Sequence, residues 1–293
     1  MPGERPGGDD SKYAVTPSPL RSSETGTANL EIPMPTQYLL DPAWYAERDR
    51  LNSLTRLYDP GTMALVERLD LRPGARCAEI GAGTGSVAEL LARHVGPGGQ
   101  VLAVDTDTRF LDPLADAVIT VARQDVTATA LPRGQFDLIH ARLLLEHLPR
   151  RDDVLASLGE SLAPGGWLLV EDLDWATAEV IDPPSPVYNR VTGACREFMR
   201  SRGYDPEFAR RLPRCLAAAG LADVGAQAVA VQVRADAVGG IPQWELLVAQ
   251  LAPGLLAGGW IDKTDLESFT AICRDSDSVI FAPLMISSWA RRA

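Results

Sequence analysis

The chain is expected to fold as a doubly wound α/β protein. Its centre would be a mostly parallel seven-stranded sheet with helices on both faces, with an N-terminal helical lid and a helical insert before the last strand. Three observations predict this. Short apolar runs bounded by glycine and proline alternate with helix-length segments between residues 76 and 170, the rhythm of parallel strands joined by crossover helices. The first run leads into closely spaced glycines that open a helix, Glu79-Ile80-Gly81-Ala82-Gly83-Thr84-Gly85-Ser86. The second run ends in an acidic residue, Asp105, where open α/β sheets present side chains to a ligand at their carboxyl edge.

Taken in order, residues 1–36 are rich in Pro, Gly, Ser and Thr without an apolar period, which predicts a flexible arm. Residues 37–70 read as the helical lid. Trp44, Tyr45, Leu51, Leu54 and Leu57 fall at near-helical spacing over 41–57, Tyr58-Asp59-Pro60-Gly61 breaks that helix, and 62–69 forms a second short one. The main domain spans 71–293. Strands are expected at 76–80, 101–104, 118–122, 136–140 and 167–170, with helices at 86–94, 143–148 and 152–162, the last ended by Pro164-Gly165-Gly166. Helices follow at 187–202, 206–219, 244–251 and 263–273, with strands at 224–233 and 284–289. Insertions are expected at about 176–205 and 235–280.

The formal net charge of −11 repels phosphate backbones over most of the surface, so no nucleic-acid substrate is expected. With 46% hydrophobic residues in 293, the chain builds a core without metal or disulfide staples. Cys77, Cys195, Cys215 and Cys273 form no Cys-x-x-Cys pair, so reduced thiols and no metal site are expected. No apolar run approaches the roughly 18 residues of a membrane span, and the polar start does not resemble a signal peptide. The expected setting is cytoplasmic, without a membrane partner. A homodimer through the aromatics of the insert is one option; covering a pocket with them is the other.

The glycine spacing is G-x-G-x-G, with Ser86 where the dinucleotide fingerprint G-x-G-x-x-G needs its third glycine. Glu79 places negative charge where a pyrophosphate would lie, and so suits a cationic or amine-bearing ligand. Asp105 is positioned for ribose hydroxyls, although Asp105-Thr106-Asp107-Thr108 also supplies side chains for helix capping.

These residues carry a resemblance. The run from Cys77 to Ser86 resembles the nucleotide loop of class I, Rossmann-like S-adenosylmethionine-dependent methyltransferases. Val101-Leu-Ala-Val-Asp105 and Gln124-Asp125-Val126 are similar to that family's second and third motifs. Phe136-Asp-Leu-Ile-His-Ala141, with Leu144-Leu-Glu-His-Leu-Pro149, resembles its fourth-strand block, and Leu162-Ala-Pro-Gly-Gly-Trp-Leu-Leu-Val-Glu171 its fifth. The resemblance covers about residues 72–175; more loosely, the flanking segments resemble bacterial small-molecule methyltransferases of natural-product pathways. It implies that Glu79, Gly81, Gly83 and Gly85 hold the methionine end of S-adenosyl-L-methionine, that Asp105 binds its ribose, and that Asp125 accepts from the adenine amino group beside Val126. Ala141 joins the cofactor site through the fourth-strand block. The implied activity is methyl transfer to carbon, nitrogen or oxygen of a small, aromatic natural-product acceptor, an indole-containing cyclic dipeptide among them. The rival readings are an NAD-dependent oxidoreductase and a non-methylating protein that binds S-adenosylmethionine.

The methyl group of a sulfonium is already activated, so placement in a dry pocket is the main task. Tyr38, Trp44 or Tyr45 of the lid would offer an aromatic face to the sulfonium, or pack the helix on the sheet. An acceptor that keeps its proton until transfer needs a base. His147 is the candidate, oriented by Asp172 or Asp174 at the same sheet edge; otherwise it pins its own helix. His140 reads as a satisfied structural residue. The acceptor pocket would draw on the loop after Trp175, on Tyr188, Phe198, Met199 and Tyr204, and on Trp244 and Trp260, or these aromatics serve as core.

Overall fold

The expected sheet is present in the computed structural model, which describes Leu40 and residues 45–233 and 243–293. The arm at 1–36, Tyr38 and Trp44 lie outside the described residues. The central strands are β1 (Arg76–Ile80), β2 (Gln100–Asp105), β3 (Ile119–Arg123), β4 (Phe136–Arg142) and β5 (Leu162–Asp174), all parallel. After β6 (Ile181–Asp182) come β7 (Ala222–Val229), β8 (Gln232–Val233), β9 (Val279–Phe281) and β10 (Leu284–Arg291). The large sheet runs β3-β2-β1-β4-β5-β10-β7, with β10 antiparallel to both neighbours.

Strand parity explains why the sheet is covered on both sides. Ala78 and Ile80, Ile139 and Ala141, and Leu168 and Val170 face one core, under α3 (Arg151–Ser161) and α5 (Leu212–Ala218). Their alternates Cys77, Leu138 and Leu169 face the other, under α2 (Ser86–Val95) and the end of α1 (Glu47–Arg68). Continuing along that second face toward the carboxyl edge, the same parity delivers Glu79, His140 and Glu171 side by side. Apolar anchoring thus turns into a polar floor two residues further along each strand.

A cap lies at that edge. The first half of α1 joins α4 (Pro186–Ser201), α6 (Gln243–Ala257), α7 (Lys263–Arg274) and the small sheet β6-β9-β8 around one core that includes Tyr58, Tyr188, Trp244 and Phe269. The helical segments expected around 176–205 and 235–280 are these cap elements, apart from 234–242, outside the described residues.

Several expected boundaries move. The lid is not broken at Tyr58-Asp59-Pro60-Gly61; α1 continues through Pro60. Pro60 and Arg56 face solvent, so water can satisfy the carbonyl that loses its N–H partner. Leu54, Tyr58, Leu65 and Val66 keep the opposite face buried. β5 starts at Leu162 and runs to Asp174, longer at both ends than the apolar core of 167–170, with an irregularity opposite β4 between Phe136 and Leu138. The expected helix at 143–148 shrinks to a 3-10 turn over Leu145–His147. That at 206–219 splits into a turn at Ala209–Arg211 and α5, whose first turn holds Pro213. The expected strand at 224–233 divides between the two sheets. Among the described residues, no helix is long and apolar enough to cross a membrane, and no His/Cys/Asp/Glu group is arranged to hold a metal ion.

Candidate functional site

A cavity of about 400 Å³ opens where the carboxyl ends of β1 to β5 meet the cap, at the β1/β4 switch point where open sheets bind ligands. Its floor is the glycine turn. Gly81, Gly83 and Gly85 have φ of +71°, +57° and +84°, values that favour glycine. Gly85 is doubly constrained, because a Cβ there would collide with Leu114. Asp105 braces the turn: its Oδ2 accepts from the Gly83 N–H at 2.9 Å and its Oδ1 from the Asp107 N–H at 3.1 Å. Asp105 thus organises its own loop and also faces the cavity. Asp125 folds its loop by accepting from the N–H and hydroxyl of Thr127 at 2.8 and 2.7 Å, and lines the cavity with Val126.

Glu79 lies beneath this floor, nearly buried, and still forms part of the cavity wall. His140 bridges two carboxylates: its Nδ1 is 2.5 Å from Glu79 Oε2 and its Nε2 is 3.0 Å from Glu171 Oε2. Burial alone would lower the His140 pKa, but the Glu79 charge and the hydrogen bonds to both carboxylates outweigh it and raise it to about 9. Burial raises the Glu79 pKa against the opposing His140 charge. Burial also works against ionised Glu171, yet the His140 contacts, Arg142 and Ser287 hold its pKa down at about 2. Thr62 donates to Glu171 at 2.5 Å, and Arg142 reaches Thr62 at 2.9 Å and Asp59 at 2.7 Å. Three carboxyl groups, Glu79, Glu171 and Asp59, and two basic side chains, His140 and Arg142, thus meet in one network next to the glycine turn. His140 is the satisfied structural residue expected, and the network fastens α1 to the sheet.

The rest of the cavity differs from expectation in definite ways. Ala141 has the opposite parity to His140, is fully buried in the core on the far face, and does not line the cavity. Tyr45 is 92% exposed and is not part of the wall. His147 does line it, but neither expected carboxylate orients it. Asp174 is held by Arg210 through bonds of 2.7 to 2.9 Å, and Asp172 Oδ1 accepts from the Leu144 N–H at 3.1 Å. The carboxylate beside His147 Nε2 is Glu146, at 3.9 Å. Burial, with the charges of Arg50 and Arg151, pushes the His147 pKa down to about 3, so the ring is neutral at pH 7 and a weak base. Of the aromatics expected around the acceptor, Trp175 and Tyr204 line the cavity with Met199. Tyr188 instead stacks on Phe269 at 5.4 Å, Trp244 packs edge-on against Trp175 at 5.0 Å, and Phe198 meets Trp260 at 6.2 Å.

Sequence reasoning missed three contributors. Arg50 and Glu47 form a buried bidentate pair at 2.7 and 2.8 Å in the cavity wall; at i,i+3 on a helix, such charges read as a solvated face. Phe110 lines the cavity between Arg48 and Arg109, whose guanidinium carbons lie 5.2 and 4.6 Å from its ring centroid. Glu146, 2% exposed, is also in the wall. Only its place beside His147 in the sequence pointed to it.

The residues present fit a ligand with a cationic or ammonium end, vicinal hydroxyls and a flat base. Glu79 lies at the turn, Asp105 ends the neighbouring strand β2, and Asp125 with Val126 follows β3. A family model described as a methyltransferase domain matches residues 50–224. The chain is 34% identical over 167 residues to methyltransferase str3 of Strobilurus tenacellus, covering 56% of this chain and 60% of that protein. It is 30% identical over 130 residues to the ubiquinone/menaquinone biosynthesis C-methyltransferase UbiE of Bordetella avium, covering 42% and 49%. The chain thus spans about half to three fifths of the length of these relatives. A structural neighbour is the Haemonchus contortus phosphoethanolamine N-methyltransferase 2 in complex with S-adenosyl-L-methionine. It has a TM-score of 0.51 and 16% identity over 80% of this chain and 52% of that one, a likeness of fold. With the match running from α1 through β7 and enclosing every strand that builds the floor, the chain belongs to the methyltransferase-domain family.

Proposed function

We propose that this protein uses S-adenosyl-L-methionine to methylate a small acceptor enclosed between the sheet edge and the cap. The observation that carries the reading is the Glu79–Gly81–Gly83–Asp105 constellation: a turn of glycines at positive φ, braced by the Asp105 carboxylate, with Glu79 in the cavity wall beneath it. The cofactor, when bound, supplies an activated methyl group on a positively charged sulfur. Asp105 would accept from the ribose hydroxyls, Asp125 from the adenine amino group beside Val126, and Glu79 would face the ammonium end with Gly81, Gly83 and Gly85 beneath. The complex of the Haemonchus phosphoethanolamine N-methyltransferase 2 with S-adenosyl-L-methionine supports that choice of cofactor.

The cap half of the cavity is the acceptor end. Leu40, Leu54, Leu173, Trp175, Met199 and Tyr204 form its apolar and aromatic side, which suits an aromatic natural-product acceptor and excludes water. The neutral His147 shapes this wall, its ring edge-on to Tyr204 at 4.7 Å. Confinement of both partners is expected to supply most of the rate, on the order of 7–11 kcal/mol where alignment is good. The test is untargeted. The protein is incubated with methyl-labelled cofactor and a metabolite extract, and labelled products are separated and identified. A labelled small molecule is the expected result; cofactor binding with no label transferred to any compound would favour the non-methylating reading.

A further inference from the structure

We propose that Glu146, backed by Asp172, is the group that takes the proton from the acceptor, and that the acceptor is a neutral phenol. This rests on the methyl-transfer reading of the same cavity. The two carboxylates are tied into one unit by their own backbones. Glu146 Oε2 accepts from the Leu173 N–H at 3.1 Å, next in sequence to Asp172, while Asp172 Oδ1 accepts at 3.1 Å from the Leu144 N–H, two residues before Glu146. Asp172 is fully buried and its Oδ2 has no hydrogen-bond partner, whereas Glu146 reaches the cavity wall among Trp175, Tyr204 and His147.

Two carboxyl groups so placed cannot both ionise easily, and the pair retains one proton. Burial pushes Glu146 up to about 8, against opposing bonds from Tyr204 and Leu173 and the Arg151 charge, with Asp205 adding to the rise. Burial and the Glu146 charge raise Asp172 well above the usual range. The groups facing the pair are Arg151 from α3, Asp205 and Tyr204 from the segment after α4, Tyr58 from α1, and neutral His147. Against this acidic wall a preformed phenolate is disfavoured, so the acceptor enters with its proton. As its oxygen forms the new bond to the methyl carbon, the carbon–sulfur bond breaks and its electron pair stays on the now neutral sulfur. The O–H proton passes to the Glu146 carboxylate, and its later loss to solvent restores the site. His147, with its low proton affinity, is no rival for that proton.

Two readouts test this on the full chain. The first needs no acceptor: infrared titration of the free protein is expected to show a protonated-carboxyl band that disappears between pH 6 and pH 10, and that disappears at lower pH in Glu146→Gln and in Asp172→Asn, where the remaining carboxyl no longer faces its partner's charge. The second compares a weakly acidic phenol with 4-nitrophenol, which is ionised in buffer. Glu146→Gln is expected to lose roughly 10²-fold or more on the weakly acidic phenol while keeping or gaining transfer to 4-nitrophenol, with unchanged S-adenosylhomocysteine affinity. A band whose titration is unchanged in Glu146→Gln overturns the proposal. So does an equal loss on both phenols, or a wild type that methylates neither. Should Glu146→Gln not fold, Asp172→Asn carries the infrared arm alone. Failure of the wild type to bind S-adenosylhomocysteine would instead strike the cofactor reading.

Discussion

At the scale of single residues, chemistry concentrates where the strand parity of an apolar face meets the sheet edge. Removing His140 leaves Glu79 and Glu171 buried without their shared cation, so His140→Ala is expected to cost about 3–5 kcal/mol of stability, read by urea denaturation. The same pair sets a pH dependence. The His140 pKa is raised from 6.5 to about 9 in the folded protein. Its contribution is therefore complete below pH 6.5 and lost as pH rises through about 9, roughly 3 kcal/mol by linkage. Denaturation midpoints at pH 6.5 and 9.5 should differ in that direction, and less so in His140→Gln. Asp105 carries two tasks, bracing Gly83 and facing the ligand. Asp105→Ala should lower S-adenosylhomocysteine affinity about 10- to 100-fold, the value of one or two hydrogen bonds to a charged group, measured by calorimetry.

At the scale of elements, the five parallel strands were legible because each contains a short apolar run close to a turn signal, buried on both faces except in the edge strand β3. The glycine turn was legible for the same reason that it works: no other residue fits its backbone. The cap was less so. α1 reads as two helices because Pro60 and Gly61 are local signals, whereas the face that unites it depends on residues far away, such as Glu171 bonded to Thr62. β5 hides its length behind Pro164-Gly165-Gly166, and Glu146 and Arg50 are charges whose burial only the tertiary fold reveals. The Pro60 placement makes a sharp expectation. A proline in a helix interior costs up to about 3 kcal/mol relative to alanine, so Pro60→Ala should raise stability by about 1–3 kcal/mol. An unchanged or lowered urea midpoint would show that the helix is interrupted there after all.

At the scale of the whole molecule, the architecture divides labour. Under the proposed function, the sheet edge would recognise the cofactor, and the cap, with its own core, would define the acceptor space. The family match covers β1 to β6, most of α1 and α4 but stops at residue 224, so under the proposed function α6 and α7 are where this chain would set its own acceptor preference. The central claim is that the glycine turn beside Glu79 and Asp105 receives a methionine-derived nucleoside. Isothermal calorimetry with S-adenosylhomocysteine and, separately, NAD tests it most directly. The account predicts saturable heat from S-adenosylhomocysteine at one site per chain, none from NAD, and loss of the signal when Gly83 is replaced by leucine in a protein that still folds. Heat from NAD alone, or S-adenosylhomocysteine binding that the Gly83 replacement leaves untouched, would contradict it.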